Sequence, residues 1–243
     1  MPTSSTPAAT TLRELLADPP LVHGPEGGND LITHGLLPVV LQYLERTVQP
    51  GWRTLETGCG LSTILFALRG AQHTCIVPNQ PEVDRVSAWL RDHGVAGPAP
   101  DFRVEPSERV LPAAELGELD LVLIDGSHSF PQVFLDWFYT QQALKVGGTL
   151  IVDDVHVWTG RVLRGFLEAE PEWALAKRFQ GRTVAFRKIG PTDPDKIWFE
   201  QPYVERRTRA PVLGRARMAA DLIRERDFGE LAARIRALRG GGR

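Results

Sequence analysis

Residues 120–158 read DLVLIDGSHSFPQVFLDWFYTQQALKVGGTLIVDDVHVW. Two apolar runs, 121–124 and 149–152, each end in acid: Asp125 after the first, Asp153 and Asp154 after the second. Runs this short, bounded by turn residues, read as strands of a parallel sheet buried on both faces. Between them Phe130, Val133, Phe134, Trp137 and Phe138 recur at the spacing of one apolar helix face. Val146-Gly147-Gly148 reads as the turn into the second strand. A strand–helix–strand unit brings both C-terminal strand ends to one edge of the sheet, where open α/β sheets bind ligands. Three carboxylates are therefore expected to converge there, with His128 three residues past the first. Such an arrangement suits a cation held beside a base.

Upstream, WRTLETGCGLSTILFAL (52–68) predicts a strand over 52–56, a glycine turn over 57–61 and a helix over 62–68. That turn gives a ligand close access to the backbone and aims helix-start N–H groups at it. Further strands are expected at 73–77 and 101–104, with a helix from Pro81 to about His93, stopped by Gly94, between them. A short helix follows Glu105-Pro106-Ser107. Downstream, 156–169 reads as a helix, and 173–179 with 183–188 as a closing antiparallel hairpin around Gly181. The alternation of strands and helices to residue 170 is that of a doubly wound sheet. Ahead of it, helices are expected at 11–17 and 36–48, with a glycine-rich loop leading to Asp30 and a disordered Ser/Thr/Pro/Ala-rich start over 1–10.

The chain of 243 residues suits one α/β domain with appendages. A net charge of −2 gives no bulk attraction to nucleic acid or acidic membranes. Cys59 and Cys75 are too few for a disulfide framework or a cysteine-based zinc site. No stretch approaches the roughly 18 to 20 apolar residues of a membrane-spanning helix. MPTSSTPAATT lacks the regions of a signal peptide, so a cytoplasmic location is expected. From Val204 onward, 11 Arg face 5 acidic residues, a balance of +6 that leaves −8 on the remainder. There Met218, Leu222, Phe228, Leu231, Ile235 and Leu238 form an interrupted helical stripe, expected to pack on the body or on a second subunit. A nucleic-acid arm is the rival reading, weakened by the lack of interleaved aromatics.

The turn Gly58-Cys59-Gly60-Leu61-Ser62-Thr63 lacks the third glycine of the dinucleotide fingerprint, which lets helix and strand pack around a pyrophosphate. Glu56, two residues earlier, suits the cationic amino acid end of S-adenosylmethionine and is awkward beside a pyrophosphate.

Glu56-Thr57-Gly58-Cys59-Gly60, the IDGSH of 124–128, the double glycine and Asp153-Asp154 together resemble the class I S-adenosylmethionine-dependent methyltransferases. Within them the pattern is most similar to the small-molecule O-methyltransferase branch known as methyltransferase family 24, over about residues 35–190. The resemblance implies a Rossmann-like, seven-stranded sheet in the order 3-2-1-4-5-7-6 with the last strand antiparallel. It implies a cap over 1–34, a methyltransferase domain over 35–190 and a basic helical extension over 191–243. Carried over by position, Glu56 and Gly58, Cys59 and Gly60 hold the methionine part of the cofactor, and Ser107 contacts adenine. A helix N-cap is the plain alternative for Ser107. Where the family has an acid for the ribose hydroxyls this chain has Asn79, a weaker acceptor, with Glu82 and Asp84 as more distant substitutes.

The resemblance further implies a catechol-methyltransferase-like magnesium site of Asp125, Asp153 and Asp154, with Asp125 also beside the cofactor and His128 as catalytic base. Asp125 before Gly126 also suits a simple turn former, and His128 a loop or helix-cap histidine. His156 could support the acid pair, and His34 could reach the site from the cap. The expected activity is magnesium-assisted methyl transfer to a hydroxyl of a small molecule, such as a sugar, a glycosylated natural product or a phenol. The expected partners are that acceptor and a second copy of the chain through the C-terminal helices, with neither membrane nor nucleic acid. The rivals are a nicotinamide-dependent oxidoreductase, a non-catalytic binding module on the same fold, and methyl transfer without metal in which His128 is the sole base.

Overall fold

The computed structural model describes residues 11–24 and 35–209, together with 223, 228, 232, 235 and 236. The chain enters through α1 (Leu12–Ala17) and α2 (Pro38–Thr47). A capping box starts α1: the Thr11 side chain accepts from Glu14 N–H, and Glu14 accepts from Thr11 N–H. Proline at the first position of α2 needs no hydrogen-bond donor there.

Strands and helices then alternate. β1 (Arg53–Thr57), α3 (Leu61–Leu68), β2 (Gln72–Ile76), α4 (Gln80–Asp92), β3 (Asp101–Arg103), α5 (Ser107–Val110), β4 (Leu119–Ile124), α6 (Gln132–Ala143) and β5 (Leu144–Val152) follow in turn. α7 (Trp158–Leu167) leads to β6 (Trp173–Phe179) and β7 (Thr183–Lys188). The sheet order is β3-β2-β1-β4-β5-β7-β6, with β7 antiparallel to both neighbours. This is the expected seven-stranded order.

Period-two alternation along the central strands divides the core. Leu121 and Leu123 of β4 pack with Leu41, Leu44, Ile64, Phe66 and Val86 on one face. Val122 and Ile124 pack with Val133, Leu163, Leu167 and Trp173 on the other. Each fully buried aliphatic side chain of this kind contributes about 1.5–3 kcal/mol, so a one-residue slip of β4 would forfeit both layers at once.

Two local expectations are corrected. The first concerns α6, whose buried face carries Val133, Asp136, Thr140 and Gln141. Phe130 precedes the helix and is 70% exposed, and Phe138 is also exposed. Val133 is buried and Phe134 and Trp137 pack against the core, so the middle of the expected stripe faces the sheet while its two ends do not. At the inner positions Thr140 Oγ1 donates to the Asp136 carbonyl, and the Asp136 side chain is buried near Thr57 and Ser107. The second concerns Gly147-Gly148, which lies inside β5. That strand starts at Leu144, and the double glycine coincides with a register shift against β4 between Leu119 and Leu121. Gly147 has φ +85°, which only glycine adopts freely.

Residues 195–243 form a second compact unit. In it, α8 (Pro202–Arg209) carries an Arg209–Glu205 ion pair at 2.9 Å and stacks the Arg207 guanidinium over the Tyr203 ring. Of the expected apolar stripe, Phe228 and Ile235 are helical and exposed, while Met218, Leu222, Leu231 and Leu238 lie outside the described residues. The readings for 1–10, for the loop leading to Asp30 and for His34 also fall outside the described residues, apart from His23 and Gly24 of that loop. No helix among the described residues is long and apolar enough to cross a membrane.

Candidate functional site

The C-terminal ends of β1, β4 and β5 stand side by side. Asp125 N–H donates to Thr57 O at 3.1 Å, and Asp153 N–H to Ile124 O at 3.0 Å. This ladder carries the turn after β1 and the acids after β4 and β5 to one rim, at the switch point of the sheet. A cavity of about 550 Å³ opens there, within the range of small-molecule sites.

The turn after β1 is built for close approach. A Cβ on Gly58 would sit 2.5 Å from Asp125 O, and its φ of +99° disfavours any side chain. Its carbonyl accepts from Cys75 Sγ at 3.0 Å, and burial pushes that thiol up, so it stays a donor. Beneath the turn, Glu56 is only 1% exposed. Its Oε1 accepts from Thr63 Oγ1 and lies 3.1 Å from His73 Nε2, while the buried Oε2 has no partner. His73 is fixed in turn by Thr54 at 2.8 Å and by stacking on Phe66. An acceptor left open in a dry place favours an incoming donor.

Of the residues singled out in the sequence, Gly58, Cys59, Gly60, Ser107, Asp125, His128 and Asp154 line the cavity. Glu56, Asn79 and Asp153 do not form its wall. Asn79 instead donates to Glu82 Oε1 at 3.2 Å, and Glu82 lines the cavity. His23, from the segment after α1, also lines it, with Nδ1 3.2 Å from the same Glu82 oxygen. Arg85 anchors that segment through the carbonyls of Val22, at 2.7 Å, and Gly24. Ser107 is the first residue of α5 and makes no capping bond. Behind it Asp136 is buried, and burial raises its carboxyl against the opposing effect of the Ser107 and Thr57 hydroxyls.

At the acid cluster His128 Nε2 lies 3.0 Å from Asp154 Oδ2 and 3.9 Å from Asp125 Oδ1. Its backbone carbonyl accepts from Thr159 Oγ1. His128 Nδ1 is enclosed and has no partner. Burial, then the charges of Asp153 and Glu56, push the Asp125 carboxyl well above the usual carboxylate range. Asp154 sits at φ +49°, a left-handed conformation that aspartate tolerates better than most residues. His156 Nδ1 stands 3.6 Å from Asp154 Oδ1 and is largely exposed. Trp158, at the start of α7, is 58% exposed and packs neither as a core indole nor in the cavity wall.

The sequence reading did not include Arg182. Its Nε donates to Asp154 Oδ1 at 2.8 Å and its Nη2 to Asp153 Oδ2 at 3.2 Å. Thr183 Oγ1 donates to Asp153 Oδ1. Burial lowers the Arg182 pKa, but the charges of Asp153 and Asp154 outweigh it and the net direction is upward. The expected strand order held the signal: with β7 antiparallel beside β5, the residues opening β7 must lie against those closing β5. Val152 does pair with Val184.

Magnesium, implied by the resemblance, requires several oxygens around one point at about 2.0–2.1 Å. Among the described residues no group of three or more acidic, histidine or cysteine side chains is disposed to hold a metal ion. The acids do converge, but the Arg182 guanidinium bridges the adjacent pair. The residues as arranged do not fit a magnesium site, which corrects the expected role of Asp125, Asp153 and Asp154 as its ligands.

Residues 55–155 match a family model described as a methyltransferase domain. A proposed caffeoyl-CoA O-methyltransferase from Staphylococcus aureus superposes with a TM-score of 0.54 at 14% identity, over 64% of this chain and 86% of that one. The S-adenosylhomocysteine-bound methyltransferase PaMTH1 of Podospora anserina gives 0.50 at 16% identity, over 63% and 77%. A proposed rRNA methylase from Clostridium thermocellum gives 0.52 at 12%, over 63% and 96%. A search of curated proteins finds no match.

Proposed function

We propose that the chain, whose residues 55–155 match a methyltransferase domain, transfers a methyl group from S-adenosylmethionine to a hydroxyl of a small molecule. The observation that carries this is one cavity joining the Gly58–Gly60 turn to the His128–Asp154 pair. Gly58, Cys59 and Gly60 then hold the methionine part with the N-terminus of α3, above the open oxygen of Glu56. Glu82, held by His23 and Asn79, accepts from the ribose hydroxyls in place of Asn79 itself, and Ser107 lies on the adenine side.

In the reaction the acceptor oxygen attacks the methyl carbon in line with the C–S bond. The bond to sulfur breaks, S-adenosylhomocysteine leaves, and the acceptor proton passes to His128. With Nε2–H donating to Asp154, the basic lone pair is on Nδ1, which no group of the fold engages. Asp154 holds the ring and stabilises the imidazolium that forms. Nδ1 is enclosed, so proton transfer to it requires the loop that carries His128 to open. A positioned base of this kind contributes roughly 100- to 10,000-fold.

The charge of the cavity wall favours a small acceptor over a nucleic acid. Glu82, Glu108, Asp125 and Asp154 line it against one arginine, a poor surface for a phosphate backbone. The test is incubation with methyl-labelled S-adenosylmethionine and panels of phenols, sugars and glycosylated compounds, beside a panel of structured RNAs. Label on an acceptor oxygen of a small molecule supports the reading. Label only in RNA, or at nitrogen or carbon, contradicts it.

A further inference from the structure

We infer that Arg182 supplies, from within the chain, the positive charge around which Asp125, Asp153 and Asp154 gather, and that it keeps divalent cations out of the site. The inference deepens the proposed methyl transfer and rests on that reading for turnover alone, since cation exclusion is measurable without it.

Each of the four oxygens of the adjacent acid pair already faces a protein donor. Asp153 Oδ1 accepts from Thr183 Oγ1, and Asp153 Oδ2 from Arg182 Nη2 at 3.2 Å. Asp154 Oδ1 accepts from Arg182 Nε at 2.8 Å, and Asp154 Oδ2 lies 3.0 Å from His128 Nε2. A divalent ion would have to displace these donors before it could draw the oxygens around itself. Guanidinium is charged at every accessible pH, and its planar fork bridges the two carboxylates in a geometry unlike an octahedral shell.

The backbone holds the arginine in place. Val155 N–H donates to Arg182 O at 2.8 Å, and the tight turn before it uses Gly181 at φ +72°. Asp153 is wholly buried, so withdrawing the arginine would leave a buried carboxylate with no opposite charge, an arrangement that costs several kcal/mol in proteins. Asp154 touches both Arg182 and His128, one through each oxygen. When the base takes a proton, two cations stand against the Asp153–Asp154 pair and the local charge closes without an added ion. Arg182 also lines the cavity, so its field acts on an acceptor oxygen as that oxygen loses its proton.

The experiment is a Mn²⁺ titration of the full chain followed by electron paramagnetic resonance, on wild type, Arg182→Lys and Arg182→Ala. Wild type and Arg182→Lys are expected to show no stoichiometric site up to about 1 mM, the range of weak cation sites. Arg182→Ala is expected to gain one site at least tenfold tighter than any wild-type binding. If Arg182→Ala does not fold, Arg182→Gln replaces it and the same gain is required. A wild-type protein that binds one Mn²⁺ tightly overturns the inference, as does an alanine variant that gains nothing. S-adenosylhomocysteine binding on the same samples separates the two ideas. Wild type that binds both Mn²⁺ and S-adenosylhomocysteine sinks the inference alone, whereas wild type that excludes Mn²⁺ and binds no S-adenosylhomocysteine sinks the methyltransferase reading alone.

Discussion

His128 is the residue on which the proposed chemistry turns, and Asp154 fixes its ring through Nε2. His128→Gln keeps a polar side chain and loses the base. It should lower kcat by about 100- to 10,000-fold and leave the Kd for S-adenosylhomocysteine within about threefold, or roughly 0.7 kcal/mol. Equal losses in both would place His128 in cofactor binding. Asp125 makes a prediction of another kind. Its carboxyl is raised in the fold, so it binds its proton more tightly than in the unfolded chain, where the pKa is about 3.9. The stability it contributes is complete below that value and is lost as pH rises through the raised one. Asp125→Asn should therefore melt higher than wild type at neutral pH in the cofactor-free protein, with the gap closing toward about pH 3. An asparagine variant that melts lower at neutral pH would contradict the assignment. At this scale, acids at strand ends and a nearby histidine were legible, because strand direction alone places them. Arg182 went unread although the expected order set the start of β7 against the end of β5, because strand order fixes which residues adjoin and not which side chain turns onto the acids.

At the scale of elements, the turn between β1 and α3 and the end of α6 carry the sharpest expectations. Gly58→Ala puts a Cβ against the Asp125 carbonyl and forces a left-handed backbone on alanine. A cost of about 2–5 kcal/mol should appear in urea unfolding, with S-adenosylhomocysteine binding lost. An alanine variant that is stable and binds normally would show that the turn has room to move. Lys188 of β7 is buried and donates to the carbonyls of Gln141, at 2.6 Å, and Leu144, at 2.8 Å, where α6 ends. Burial lowers its pKa, and the ammonium keeps its charge against these two carbonyls. Lys188→Met keeps the length and removes the donors, and should cost about 2 kcal/mol in the same assay. Element order and type were readable from hydrophobic period and glycine stops. The inner face of α6 was not, because a wholly buried acid at Asp136 looks like a surface residue in sequence. Its raised pKa and its neighbours Thr57 and Ser107 exist only once the loops are folded over it.

At the scale of the whole molecule, alternating strands and helices made a doubly wound sheet legible, and the order of its strands came from the resemblance carried by the glycine turn, the IDGSH run and the acid pair. Glu82 was legible only as a distant substitute for the missing acid and His23 not at all, since the two are 59 positions apart and meet only in the folded chain. Every described residue that lines the cavity lies between His23 and Arg182. Removing the second unit, residues 195–243, should therefore leave the S-adenosylhomocysteine Kd within about threefold. A larger loss would assign that unit a part in the site. The account as a whole rests on a sulfonium-cofactor site whose neighbouring acids are balanced by the chain's own arginine. Calorimetric titration of S-adenosylhomocysteine into the full chain, with and without EDTA, tests it most directly. One-to-one binding with the same Kd in both buffers is the predicted result; no saturable binding, or binding abolished by EDTA and restored by Mg²⁺, would contradict it.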